Sequence, residues 1–131
     1  MKELSSIIQS ADWKKEKHAP VIDAPAQAKK GEFVSITVSV GKEIAHPNTT
    51  EHHIAWIDVF FQAQDGKFAI HLGRFEFHAH GASADGPNTS TVYADPSVAL
   101  KFKTDKPGTV FAFSYCNIHG LWMGSHELGV A

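Results

Sequence analysis

A period-two alternation of apolar and polar residues governs most of this chain, and no stretch of helical length competes with it. Phe33 to Val40 puts Val34, Ile36, Val38 and Val40 on one face and Ser35, Thr37 and Ser39 on the other. Such a segment buries one side only, so it needs partner strands and a second layer. Ile54 to Ala63, Phe68 to Leu72, Arg74 to His80, Val98 to Lys103 and Thr109 to Cys116 read as further strands, and a short last one spans His126 to Val130. Asp65-Gly66, between two apolar runs, is a hairpin signal, and Thr104 to Gly108 reads as another turn. Only Leu4, Ile7 and Ile8 suggest a helical turn. The expectation is an all-β fold, an immunoglobulin-like antiparallel β-sandwich of about seven strands. At 131 residues the chain is expected to form a single domain over 1–131. Its longest irregular stretches, Asp12 to Glu32, Gly41 to His53 and Gly81 to Pro96, are of the length that usually carries function.

Two counts then narrow the chemistry. There is one cysteine, Cys116, and there are nine histidines. A lone cysteine excludes an intrachain disulfide framework and any zinc module built on two or four cysteines. Histidine is the commonest metal ligand, so nine of them favour a metal site. The formal charge of −2 and the single arginine, Arg74, give no sign of a nucleic-acid face. The N-terminus lacks the apolar stretch and small-residue cleavage site of a secretory signal, and no window approaches the ~18 apolar residues of a membrane span. A soluble, cytoplasmic protein is expected, in keeping with a free thiol.

Three segments carry candidate chemistry. Glu16-Lys17-His18-Ala19-Pro20 is a charged loop with one imidazole. His46-Pro47-Asn48-Thr49-Thr50-Glu51-His52-His53 packs three histidines into eight residues, stiffened by Pro47. If His53 opens the strand that starts with Ile54, His52 and His53 point in opposite directions, and at most one of them faces a shared centre. Ser114-Tyr115-Cys116-Asn117-Ile118-His119-Gly120 offers a thiolate and an imidazole three residues apart at a strand end, with Gly120 allowing close backbone packing. His71, His78, His80 and His126 match no ligand spacing and read as surface or locally satisfied side chains.

The combined candidates are His18, His46, His52, His119 and Cys116. Four imidazoles and a thiolate exceed the four ligands of structural zinc, and are too rich in nitrogen and sulfur for magnesium or calcium. Five ligands leave one position open on a six-coordinate redox ion. Copper is the rival: Cys116-x-x-His119-x-x-x-Met123 approaches the Cys, His, Met order of a blue-copper electron carrier on the same kind of sandwich. That reading leaves Glu16-Lys17-His18 and the second histidine of the cluster without a role.

In chain order, Glu-Lys-His-x-Pro, His-Pro-Asn-Thr-Thr-Glu-His-His-Ile and Ser-Tyr-Cys-Asn-Ile-His-Gly-Leu-Trp resemble superoxide reductase, the neelaredoxin and desulfoferrodoxin family. The likeness extends from about Asp12 to the C-terminus, through Val40-Gly41-Lys42-Glu43-Ile44 and Gly86-Pro87-Asn88-Thr89-Ser90. It is similar to the single-iron class, since the family's rubredoxin-like N-terminal domain needs four cysteines. The resemblance implies one mononuclear iron, with His18, His46, His52 and His119 in the equatorial plane and Cys116 axial. It also implies that Glu16 closes the open face in the ferric state and that Lys17 is the cation beside it. The implied activity is one-electron reduction of superoxide to hydrogen peroxide in oxidative-stress defence. Re-reduction would come from an external donor such as rubredoxin, and the assembly would be a dimer or tetramer. Ala45 stands where many relatives have Pro, at no proposed ligand.

Overall fold

The computed structural model describes residues 2–131, and strands dominate it. In chain order they are β1 (Val21–Asp23), β2 (Gln27–Ala28), β3 (Val34–Ser39), β4 (Ile54–Ala63), β5 (Ile70–Glu76), β6 (Ser97–Phe102), β7 (Gly108–Cys116) and β8 (Gly120–Val130). Near the start, Leu4 opens a single 3-10 turn, Leu4–Ser6, with Ile7 and Ile8 just beyond it. Strands β1-β3-β6 make a three-stranded sheet, and β2-β8-β7-β4-β5 make a five-stranded one. All neighbours are antiparallel except β2 and β8. Val34, Ile36, Val38, Val98 and Phe102 from the smaller sheet meet Ile57, Val59, Phe61, Val110, Ala112 and Leu128 from the larger in one apolar cluster. That is the two-layer sandwich the alternation demands.

Strand β4 has the bounds the sequence predicts, β3 and β6 differ by a residue at each end, and β7 by one at its start. Three expectations need correction. The two strands read on either side of Gly73 are one continuous β5. A glycine inside a strand resembles a break, but here it pairs with Val59, and the irregularity lies on β4 between Val59 and Phe60. The last strand begins at Gly120 rather than His126, because the 117–119 turn sends the chain straight back along β7 in the register Cys116↔Gly120. Its first half is half-buried on both faces, so it shows no alternation. The stretch from Asp12 to Glu32 is not wholly irregular: it contributes β1 and β2, both too short to show a period.

Alternation along β7 decides what lies inside. Val110, Ala112, Ser114 and Cys116 face the core, and Phe111, Phe113 and Tyr115 face out. The core-facing row therefore ends in Cys116, fully buried at the strand terminus. No helix among the described residues is long and apolar enough to cross a membrane.

Ile57 is fully buried between β5 and β7. Ile57→Ala should lower unfolding free energy by about 2–5 kcal/mol through lost transfer energy and a residual cavity, read as a reduced urea midpoint.

Candidate metal centre

The site forms at one end of the larger sheet, where β4 begins and β7 ends. Cys116 and His119 sit on either side of a tight turn that closes on Gly120. Gly120 adopts φ 87°, and the nearest atom to an added Cβ would be 3.6 Å away. Its left-handed backbone, rather than close packing, is what calls for glycine. The His119 N–H donates to Cys116 Sγ at 3.3 Å, stabilising a thiolate there. The His119 carbonyl is held by Gln9 Nε2 at 2.8 Å and Trp122 Nε1 at 3.2 Å.

His18 arrives on the 12–20 loop and is 6% exposed. Trp122 stacks on its ring at 5.0 Å and 12°, and Ser114 Oγ donates to its carbonyl at 3.3 Å. Glu16 grips the same residue. Its carboxylate bonds to His18 Nδ1 and accepts the backbone N–H of His18 at 2.5 Å and of Ala19 at 2.9 Å. Burial pushes the Glu16 carboxyl up, but these donors together with the nearby His18 hold it below the usual carboxylate range. With Nδ1 engaged, His18 presents Nε2 inward.

His46 and His52 come from the loop before β4. Gly41, at φ 88°, turns the chain where an added Cβ would lie 2.7 Å from His46 N. His52 faces the centre, while His53 turns away and stacks on His80 at 3.5 Å. Donor atoms of His18, His52, Cys116 and His119 all lie within 4.8 Å of one another. His119 Nδ1 is 3.1 Å from His18 Nε2, 3.2 Å from His52 Nε2 and 3.9 Å from Cys116 Sγ. His46 stands outside that foursome but edge-on to two of its rings, 4.8 Å from His18 and 4.9 Å from His52.

The donor chemistry fits a transition metal, iron included. His46 Nδ1 bonds to the Pro47 carbonyl at 2.6 Å, so that nitrogen carries the proton. Its Nε2 is buried with no hydrogen-bond partner. An orphaned buried acceptor costs about 1–3 kcal/mol, and a cation is the natural complement to such a lone pair. Imidazole nitrogens beside a thiolate sulfur suit iron, copper or zinc far better than a hard oxygen-seeking ion.

Burial depresses the His46 pKa to about 4, with His18, His52 and Lys17 adding to the effect. Burial also lowers that of His52, helped by His119, His18 and Lys17. Both rings are therefore neutral at pH 7, the form that binds metal. Lys17, half-buried, precedes His18 in the same loop.

The remaining histidines are engaged elsewhere. His71 pairs with Asp58, His78 with Glu76, His80 with Phe77 O and Asn48, and His126 with Pro25 O. Met123 pairs with Phe113 and lines an apolar groove with Phe60 and Phe111 on the outer sheet face, away from the donors. That placement disfavours the copper reading. Sequence reasoning missed Gln9 and Trp122. Gln9 reaches His119, and Trp122 stacks on His18, over long sequence separations that leave no spacing signal, although Trp122 lies inside a recognised motif and bonds to His119 only three residues away.

A family profile described as Desulfoferrodoxin matches residues 10–125. A protein named superoxide reductase from Pyrococcus furiosus is 53% identical over 119 residues, covering 91% of this chain and 94% of that protein. Neelaredoxin from Megalodesulfovibrio gigas is 49% identical over 127 residues, with coverage of 97% and 98%. A solved structure of superoxide reductase (neelaredoxin) from Archaeoglobus fulgidus in the reduced form superposes with a TM-score of 0.88 at 60% identity, over 94% of this chain and 98% of that one.

The depressed His46 gives the metal-free protein an acid weakness. Below pH 6.5 the unfolded chain takes up a proton that folded His46 refuses until about pH 4. Stability is thus full above pH 6.5 and falls across that window, by roughly 3 kcal/mol from this residue. Melting temperature of the chelated protein should drop between pH 7 and 4, and His46→Gln should flatten the drop.

Proposed function

This chain belongs to the desulfoferrodoxin family and is a superoxide reductase; we propose that His18, His46, His52, His119 and Cys116 hold its iron, with Lys17 and Glu16 serving the open face. The observation that carries the reading is the convergence of three imidazoles on a fully buried thiol, with the unpartnered Nε2 of His46 beside them. The reaction takes one superoxide, one electron and two protons to hydrogen peroxide. Iron bound there supplies that electron, its electron density raised by the Cys116 thiolate.

The chain's residues prepare the approach. Neutral imidazoles leave the charge of a divalent ion only partly offset by one thiolate, so the site stays positive although the chain is at −2. Lys17 adds to that field and draws in a small anion without a shaped pocket. His119 is exposed and His52 half-exposed, which keeps the face open to solvent. Lys17 orders the water that delivers protons to the departing peroxide. Glu16 has a second role in this scheme. To reach the metal in the oxidised state, its carboxylate must release His18 Nδ1 and the two amides it accepts.

An external one-electron carrier such as rubredoxin restores the reduced state, and the cytoplasm is the proposed setting. A dimer or tetramer is the proposed assembly. Its support is the apolar exposure along β5 and its approach: Phe68 is 76% exposed, Ile70 60% and Phe75 50%.

Elemental analysis of the purified protein should give about one iron per chain rather than copper, with superoxide consumed only as an electron donor is oxidised. Cys116→Ser should erase the thiolate-to-iron charge-transfer absorption of the oxidised protein; a variant that keeps the band refutes the thiolate assignment. Lys17→Ala should retain iron yet slow superoxide capture roughly tenfold at low salt and flatten its ionic-strength dependence, measured by pulse radiolysis.

A further inference from the structure

Asn117 follows Cys116 and supplies no donor, yet its side chain holds the backbone on both sides of His52. Asn117 Oδ1 accepts the His53 N–H at 2.9 Å, and Nδ2 donates to the Glu51 carbonyl at 2.9 Å. Its own N–H donates to the His53 carbonyl at 3.2 Å. Thr49 completes the arrangement. Its Oγ1 accepts the His52 N–H at 3.0 Å, and its N–H donates to the His52 carbonyl at 2.9 Å. On the far side Asn88, at φ 56°, grips the Glu51 carboxylate at 2.8 and 3.0 Å and accepts the Thr50 N–H at 2.9 Å.

The β4–β7 ladder has a register irregularity between Ile54 and Trp56, just where the His52 loop enters β4 and the Cys116 turn leaves β7. A bulge disrupts the ladder locally and bends the strand, so regular pairing alone does not fix how the two segments meet. We propose that Asn117 is a positioning residue for the metal: it staples the His52 loop to the Cys116 turn across the bulge, so that His52, Cys116 and His119 stand in binding register before any ion arrives. The proposal rests on the assignment of those three as ligands. Preorganisation of this kind raises affinity, because less of the binding free energy is spent on ordering the ligands.

The test uses the metal-free full chain, with zinc as probe in competition with a chromophoric chelator. Asn117→Ala should weaken zinc binding 10- to 100-fold, as removal of partners that orient ligands usually does. Ile36→Val, in the core of β3, should lower the melting temperature while leaving zinc affinity unchanged. His52→Ala should weaken zinc at least as much as Asn117→Ala. Asn117→Ala binding zinc within about twofold of the parent, while His52→Ala binds weakly, overturns the positioning role and leaves the ligand assignment standing. Unchanged affinity in His52→Ala overturns both. Should Asn117→Ala not fold, amide exchange in the unsubstituted metal-free chain decides. The His53 N–H should be protected, and exchange as fast as an unpaired loop amide overturns the staple.

Discussion

Imidazole nitrogens gathered around a buried sulfur cannot all be satisfied by one another: His119 Nδ1 lies within hydrogen-bonding reach of both His18 Nε2 and His52 Nε2, while His46 Nε2 has no partner. The rest of the molecule is arranged to hold that cluster together. Each residue is held from behind: the His18 ring by Glu16 and Trp122, the His46 ring by the Pro47 carbonyl, His52 through its backbone by Thr49 and through its neighbours' backbone by Asn117, and His119 through its carbonyl by Gln9 and Trp122. Much of this bonding leaves the inward lone pairs free. The sandwich supplies the rigid end on which these supports converge, because β7 carries its core-facing row out to Cys116.

The parts of this fold that were legible in the sequence are those whose burial is one-sided. Strands β3 and β7 alternate cleanly between core and surface, so their residues announce both the element and its facing. Strand β5 is mostly exposed and changes phase at Gly73, so it reads as two pieces, and the start of β8 is half-buried throughout, so it writes no period into the sequence. At the centre, spacing drew attention to Cys116 with His119 and to the 46–53 cluster. His52 and His53 do point apart as the sequence suggests, although both lie in the loop just before β4 rather than in the strand. His18 carries only a weak local signal, one imidazole in a charged loop, which the family motif strengthens.

The supports are harder to read for a physical reason. Gln9 acts on a residue 110 positions away, and Asn117 on residues 64 and 66 positions away. A polar side chain of this kind has no periodicity, and its partner is set only when two distant turns meet. Asn117 is exposed and neutral, the sort of residue usually assigned to solvent.

The orphaned Nε2 of His46 has a consequence for the stability of the fold. Domain stabilities are commonly about 5–15 kcal/mol, so a buried acceptor left unpaired at about 1–3 kcal/mol is a sizeable share of the margin. Iron that binds only the folded chain adds to that margin by mass action. Folding and metal capture are therefore one linked equilibrium in this chain: the same nitrogen that weakens the empty fold is the one a bound ion would satisfy.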